Sequence, residues 1–164
     1  MELKQWLEAF RALHRKAHEG KLTEEEQKVY LDGREELARA LLSVQRVSLQ
    51  PGQTPRQSVR VSRAIQVDID AGADHLRAVT RDISVTGFAA MLEKTLELGQ
   101  TVKYALRIAG SSGSAPITGK AHVIEMKSHG GRIRGSFALL GLSATEREQL
   151  ELFVFDAVLD CLTV

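Results

Sequence analysis

The 164-residue chain has little of what most function classes require. Its one cysteine, Cys161, forms no intramolecular disulfide and holds no zinc without help from distant histidines, which argues against redox chemistry. Aromatic residues make up 5% of the chain, too few for a stacking platform along single-stranded nucleic acid. No apolar run approaches the roughly 18 residues of a spanning helix. Met1-Glu2-Leu3-Lys4-Gln5 opens without the basic-then-apolar pattern of a secretion signal, so a cytoplasmic protein without membrane contact is expected. The glycine-rich strings GxGxxG and GxxxxGK[ST] are absent, which removes the usual phosphate-cradling loops of nucleotide enzymes.

Histidine is also uninformative about catalysis. His75, His122 and His129 read as strand ends or turns with no nucleophile in a recognisable motif. His14 and His18 lie four apart, yet no metalloprotease pattern surrounds them and Arg15 and Lys16 would repel a cation, so they read as a solvated helix face. No enzyme activity, cofactor or metal is expected.

With 43% apolar and 26% charged residues, the chain is a soluble domain with an extension, and its net charge of +1 conceals a division. Residues 1–50 hold nine basic against nine acidic side chains, residues 51–142 twelve against seven, and residues 143–164 one against five. An anionic ligand belongs in the basic, arginine-rich middle.

Periodicity divides the chain in the same way. Leu3, Trp6, Leu7, Phe10 and Leu13 recur at three- and four-residue steps, which predicts a helix over about 2–18 that Gly20 stops. Thr23-Glu24-Glu25-Glu26 is a capping box for a second helix reaching about Val47, with Tyr30, Leu37, Leu41 and Val44 at heptad-like spacing interrupted by Arg34. This hairpin, residues 1–50, buries too little to stand alone. Its stripes pack on the following domain or on another copy of the chain.

Residues 51–59 read as a linker, since Pro51-Gly52 and Pro55 cannot continue a helix. From Arg60 the period falls to 2, with Val61, Arg63, Ile65, Val67 and Ile69 on one strand face. Further strands are expected at 76–83, 87–92, 101–108, 117–126 and 132–139. Ser111-Ser112-Gly113-Ser114 reads as a mobile loop tip. Six short strands suggest an antiparallel barrel or sandwich. Ser143-Ala144-Thr145-Glu146 opens a terminal helix, with Leu150, Phe153, Val154, Ala157, Val158 and Cys161 as its stripe and Cys161 as a small core residue.

Two motifs carry chemistry. Arg56-Gln57-Ser58-Val59-Arg60 sets two guanidinium groups four residues apart where the linker enters the first strand, and Asp82-Ile83-Ser84-Val85-Thr86-Gly87 follows about twenty residues later. This RxxxR and DxSxxG pair resembles the signature of PilZ domains, bacterial receptors for the second messenger cyclic di-GMP. Gly119-Lys120-Ala121-His122-Val123, Gly135-Ser136-Phe137 and a terminal helix are similar to that family's later elements.

The resemblance covers about residues 54–160. It implies a mainly β fold with flanking α: a six-stranded antiparallel β-barrel with an N-terminal helical hairpin and a C-terminal helix, residues 60–164 forming the barrel and that helix. It implies that Arg56 and Arg60 close over the ligand to contact guanine and phosphate, that Asp82 accepts from guanine N1 and N2, that Ser84 donates to a phosphate or through water, and that Gly87 lets the backbone pass close. Arg63 is a further ligand candidate. The chemistry fits, because the guanine N7 and O6 acceptors suit a planar arginine fork and two phosphodiesters need neutralising. The expected partners are cyclic di-GMP, a protein partner and a second copy through the N-terminal helices, with no nucleic acid polymer. The alternative reading is a PilZ-like protein-interaction scaffold that does not bind the nucleotide.

Overall fold

The computed structural model describes residues 2–47, 58–108 and 116–162. By contacts the chain forms two units, one of Met1–Val59 with Phe155–Val164 and one of Arg60–Val154. Residues 51–57 of the expected linker 51–59 and the loop tip Ser111–Ser114 lie outside the described residues, and Arg56 with them.

In the first unit, α1 (Leu3–Glu19) and α2 (Glu24–Val47) form the expected pair. Gly20 ends α1 at φ +67°, where its N–H and that of Lys21 return to the Ala17 and Lys16 carbonyls. The capping box opens α2: the Glu26 N–H donates to Thr23 Oγ1 at 3.1 Å and the Thr23 N–H to Glu26 Oε1 at 3.2 Å. Trp6, Phe10 and Tyr30 stack at centroid spacings of 5.4 Å, and Gly33 leaves α2 open where the Phe10 ring lies. The heptad stripe runs from Tyr30, 1% exposed, through half-buried Leu37 and Leu41 and fails at Val44, which is 67% exposed.

Two expectations for this unit are corrected. His14 is not on a solvated face; it is buried, its Nδ1 2.7 Å from the Tyr30 hydroxyl and its Nε2 2.5 Å from Asp156 Oδ1. The Asp156 partner comes from the far end of the chain, which helical periodicity in α1 does not reveal. Burial raises the Asp156 carboxyl, but the hydrogen bonds to His14 and His18 outweigh it and hold the group below the ordinary carboxylate range. Cys161, read as a core residue, is exposed, because it closes α3 (Ala144–Cys161) where Leu159 and Val158 already fill the buried side. Arg11 donates to the Leu159 carbonyl at 2.8 Å and to that of Leu162, satisfying acceptors at the end of α3.

The second unit is a closed six-stranded barrel, all pairs antiparallel: β1 (Gln66–Asp70), β2 (His75–Ile83), β3 (Gly87–Leu92), β4 (Thr101–Leu106), β5 (Ile117–His129) and β6 (Arg132–Leu140), in the order β1-β2-β3-β6-β5-β4. The β1–β4 pairing closes it, which selects barrel over sandwich and leaves no open edge. Inward residues such as Val67, Ile69, Ile83, Leu106, Val123 and Phe137 fill the interior, and Leu150 of α3 belongs to the same cluster. A second capping box, Ser143 with Glu146, starts α3.

The first strand begins later than its alternation suggests. Arg60–Ile65 is not strand; only Val61 makes a bridge, to Ile83, and regular pairing starts at Gln66. The reason is the neighbour, because β2 ends beside this segment and the Thr80 hydroxyl takes the place of a ladder partner. It accepts the Ile65 N–H at 2.9 Å and donates to the Arg63 carbonyl at 2.6 Å. His122, read as a strand end or turn, lies inside β5 opposite Thr101.

The Tyr104 hydroxyl is buried without a hydrogen-bond partner among the described residues, and burial, then the charge of Glu146, pushes its pKa up to about 12. A buried hydroxyl with no partner opposes folding, so Tyr104→Phe is expected to raise the unfolding free energy at neutral pH by about 1 kcal/mol. The raised pKa means that the stability tied to the neutral phenol is complete below about pH 10 and is lost as pH rises towards about 12. Urea melts at pH 7 and pH 11 check both. The variant should gain at pH 7, and its alkaline decline should be shallower than that of the parent.

Candidate functional site

The two motifs meet where the segment before β1 runs beside the end of β2. Val61 and Ile83 exchange both backbone hydrogen bonds at 2.9 Å, which sets Arg60 beside the DxSxxG turn. Thr80, 1% exposed, anchors the same segment from below through Arg63 and Ile65.

A β-bulge then re-aims the motif. In β2, Leu76, Ala78 and Thr80 face inward, and unbroken alternation would send Asp82 into the core. The register with β3 instead shifts between Thr80 and Asp82, so that Arg81 is the extra residue, Ile83 takes the inward place and Asp82 stands half-buried beside it.

Asp82, with its side chain 13% exposed, lies between two cations. Arg134 Nη2 from β6 donates to its Oδ2 at 2.8 Å, and Arg60 Nε lies 3.5 Å from its Oδ1. Asp82 Oδ1 and Arg134 Nε are nevertheless buried without a hydrogen bond among the described residues. Arg60 and Arg134 keep about a third of their side chains exposed, so a buried donor and acceptor lie beside two planar cations reachable from solvent.

Ser84 and Gly87 shape the turn. Ser84 is 1% exposed; its Oγ accepts the N–H groups of Thr86 and Gly87 at 3.2 Å each and lies 3.0 Å from Thr86 Oγ1, while the Ser84 N–H donates to the Gly87 carbonyl at 2.8 Å. A Cβ on Gly87 would lie 2.3 Å from the Phe137 carbonyl oxygen, so glycine is demanded by the close approach of β6. Arg63 is half-buried, and its carbonyl holds Thr80.

Of the six candidate residues, Arg60, Asp82, Ser84 and Gly87 are thus gathered at one end of β2. Arg63 lies on the adjoining segment and Arg56 is outside the described residues. Sequence reasoning missed Arg134 and Thr80. Their only signals are the Arg132-Ile133-Arg134 alternation and a threonine at an inward strand position, both commonplace. Two open grooves on the outer barrel wall, one lined by Gln66, Arg77, Val79, Met91, Glu93 and Arg132, include none of the candidate residues.

The family model of the PilZ domain matches residues 54–156. The chain belongs to the PilZ domain family. Among solved structures, the PilZ chain is similar to the Bacillus subtilis inhibitor of motility MotI/DgrA, with 17% identity and a TM-score of 0.62 over 68% of this chain and 55% of that one. It is similar to the PilZ domain of Escherichia coli YcgR solved with c-di-GMP, with 20% identity and a TM-score of 0.55 over 65% of this chain and 94% of that one. It also resembles the K. pneumonia MrkH–c-di-GMP complex, with 14% identity and a TM-score of 0.55 over 66% and 54%. At these identities the likeness is one of fold, and the chain spans little more than half the length of MotI/DgrA or MrkH. No curated protein matches the sequence significantly. No helix among the described residues is long and apolar enough to cross a membrane.

The charges predict how the site responds to mutation. Asp82→Asn keeps the volume of the side chain but removes the charge that two guanidinium groups share. Breaking these half-buried contacts is expected to lower stability by about 1–2 kcal/mol, and denaturant melts in low and high salt check it. A loss confined to low salt would instead mark the pair as solvent-screened.

Proposed function

We propose that this PilZ protein is a receptor for cyclic di-GMP that couples nucleotide binding to reorientation of its helical extension, residues 1–50, and through it to a protein partner. The observation that carries the reading is the Asp82 carboxylate, set between Arg60 and Arg134 with Oδ1 lacking a hydrogen bond among the described residues. A guanine offers N1–H and N2–H donors to such an oxygen, and its N7 and O6 accept from an arginine fork. Family membership and the two YcgR and MrkH structures with c-di-GMP support the same ligand.

Residues 51–59 form the ligand-binding loop in this reading. Arg56 and Arg60 close over guanine and phosphate, Arg63 adds a cation, Ser84 with its neighbour Thr86 faces a phosphate directly or through water, and Gly87 keeps the turn close. Ordering a loop on binding uses part of the interaction energy, about 2–5 kcal/mol, which points to micromolar affinity. The coupling to the helices is of the usual size, about 1–3 kcal/mol. Leu3, Val29 and Val44 are exposed apolar side chains on α1 and α2 that a protein partner or a second copy could cover. A cytoplasmic role in motility, exopolysaccharide or biofilm control, without enzymatic activity, is the setting this reading implies.

A scaffold that keeps the barrel without binding nucleotide is the second reading. Ser84 favours it, since its hydroxyl is already engaged within its own turn. Thermal unfolding separates the two readings. Cyclic di-GMP at 100 times its dissociation constant adds about 2.7 kcal/mol to a receptor. A midpoint that stays put at millimolar nucleotide selects the scaffold.

A further inference from the structure

Within the first unit, α1 and the end of α3 bring three metal-ligating groups together. His14 and His18 are one helical turn apart on one face of α1. Their Nε2 atoms lie 2.5 and 2.6 Å from the same oxygen, Asp156 Oδ1, and their rings meet edge to face with centroids 4.9 Å apart. One ligand atom from each residue falls within 4.8 Å of the others.

The surroundings suit a ligand set better than a chance contact. His14 is buried and its second nitrogen, Nδ1, is 2.7 Å from the hydroxyl of Tyr30, which is itself 1% exposed. That bond fixes the ring so that Nε2 faces the carboxylate, as the outer partners of metal-bound histidines do. Of the two cations expected from the sequence to repel an ion, Lys16 is paired with Glu26 at 2.6 Å and Arg15 is exposed to solvent; Arg11 is engaged by the Leu159 and Leu162 carbonyls.

We propose that His14, His18 and Asp156 bind one divalent first-row transition ion of the zinc type, with solvent at the open side. Two imidazoles and a carboxylate are ligands that zinc accepts, whereas calcium and magnesium favour all-oxygen sets. The contacts of 2.5 and 2.6 Å are proton-mediated. A zinc ion about 2.0–2.2 Å from each ligand needs them about 3.3 Å apart, so Asp156, with its side chain 42% exposed, rotates back to admit it. As the ion binds, the single hydrogen of each neutral imidazole passes by exchange with water from Nε2 to Nδ1. His14 then carries its proton on Nδ1 and donates it to the Tyr30 oxygen, and the hydroxyl changes from donor to acceptor. The ion staples α1 to the end of α3.

The test is titration of the full-length protein with zinc by calorimetry at neutral pH, followed by cobalt(II) absorption. One ion per chain and a cobalt spectrum without thiolate charge transfer are expected. His18→Ala, at a side chain 36% exposed, should leave helicity unchanged by circular dichroism and weaken zinc binding at least tenfold. Tyr30→Phe should weaken it about 10-fold or more while keeping one ion per chain. Absence of zinc uptake at 100 times the protein concentration, uptake unaltered in His18→Ala, or a thiolate band tracing the ion to Cys161 would each overturn the proposal.

Discussion

Gly87→Ala is expected to lower the unfolding free energy by about 3 kcal/mol, among the largest effects of a single methyl group in this chain. The added Cβ would sit 2.3 Å from the carbonyl oxygen of Phe137, a backbone atom in a strand paired on both sides. No rotamer relieves that contact. The Gly87↔Ala138 step must open, and with it the hydrogen bond from the Leu139 N–H to the Thr86 carbonyl at 2.9 Å. Guanidinium melts measure the loss. A change below about 0.5 kcal/mol would mean that β3 and β6 yield at this step and that the glycine is not required by the barrel. The glycine of the DxSxxG motif therefore acts first through the fold, and nucleotide binding by this variant should fall only as far as folding does.

Arg60→Ala is expected to do the reverse. The guanidinium is about a third exposed and 3.5 Å from Asp82 Oδ1, so its removal should change stability by no more than about 1 kcal/mol. Cyclic di-GMP binding should weaken by roughly 5- to 150-fold, the range of about 1–3 kcal/mol for a lost arginine contact to a guanine edge or phosphate. Arg60→Lys should recover little, because an ammonium keeps the charge but loses the planar fork. Calorimetry on the three proteins separates these outcomes. Full recovery with lysine would assign Arg60 a charge role alone.

Elements with a local cause were legible in the amino-acid order. The capping boxes at Thr23 and Ser143, the stop at Gly20 and the alternation of β2 through Thr80 depend on residues within one or two turns of each other. The motif pair was legible for a different reason, since a resemblance supplied long-range information that periodicity lacks. What escaped depends on partners far along the chain. Asp82 is placed by a bulge that no alternation announces, and it is held by Arg134, 52 residues away. His14 is buried with a partner, Asp156, 142 residues away, which the periodicity of α1 does not reveal. The segment from Arg60 to Ile65 has the pattern of a strand, yet the Thr80 hydroxyl occupies the place where a partner strand would bond. Cys161 shared the spacing of the buried stripe but stands at the helix end, where the stripe runs out.

The division of labour in the site follows from burial. Ser84, Gly87 and Thr80 are enclosed and shape the backbone, whereas Arg60 and Arg134 keep exposed surface and Asp82 has one oxygen without a hydrogen bond among the described residues. Isothermal titration of cyclic di-GMP into the purified chain tests this account most directly. It predicts saturable, micromolar heat that Arg60→Ala weakens severalfold or more without unfolding the barrel. Heat absent at millimolar nucleotide, or identical in the parent and Arg60→Ala, would contradict it.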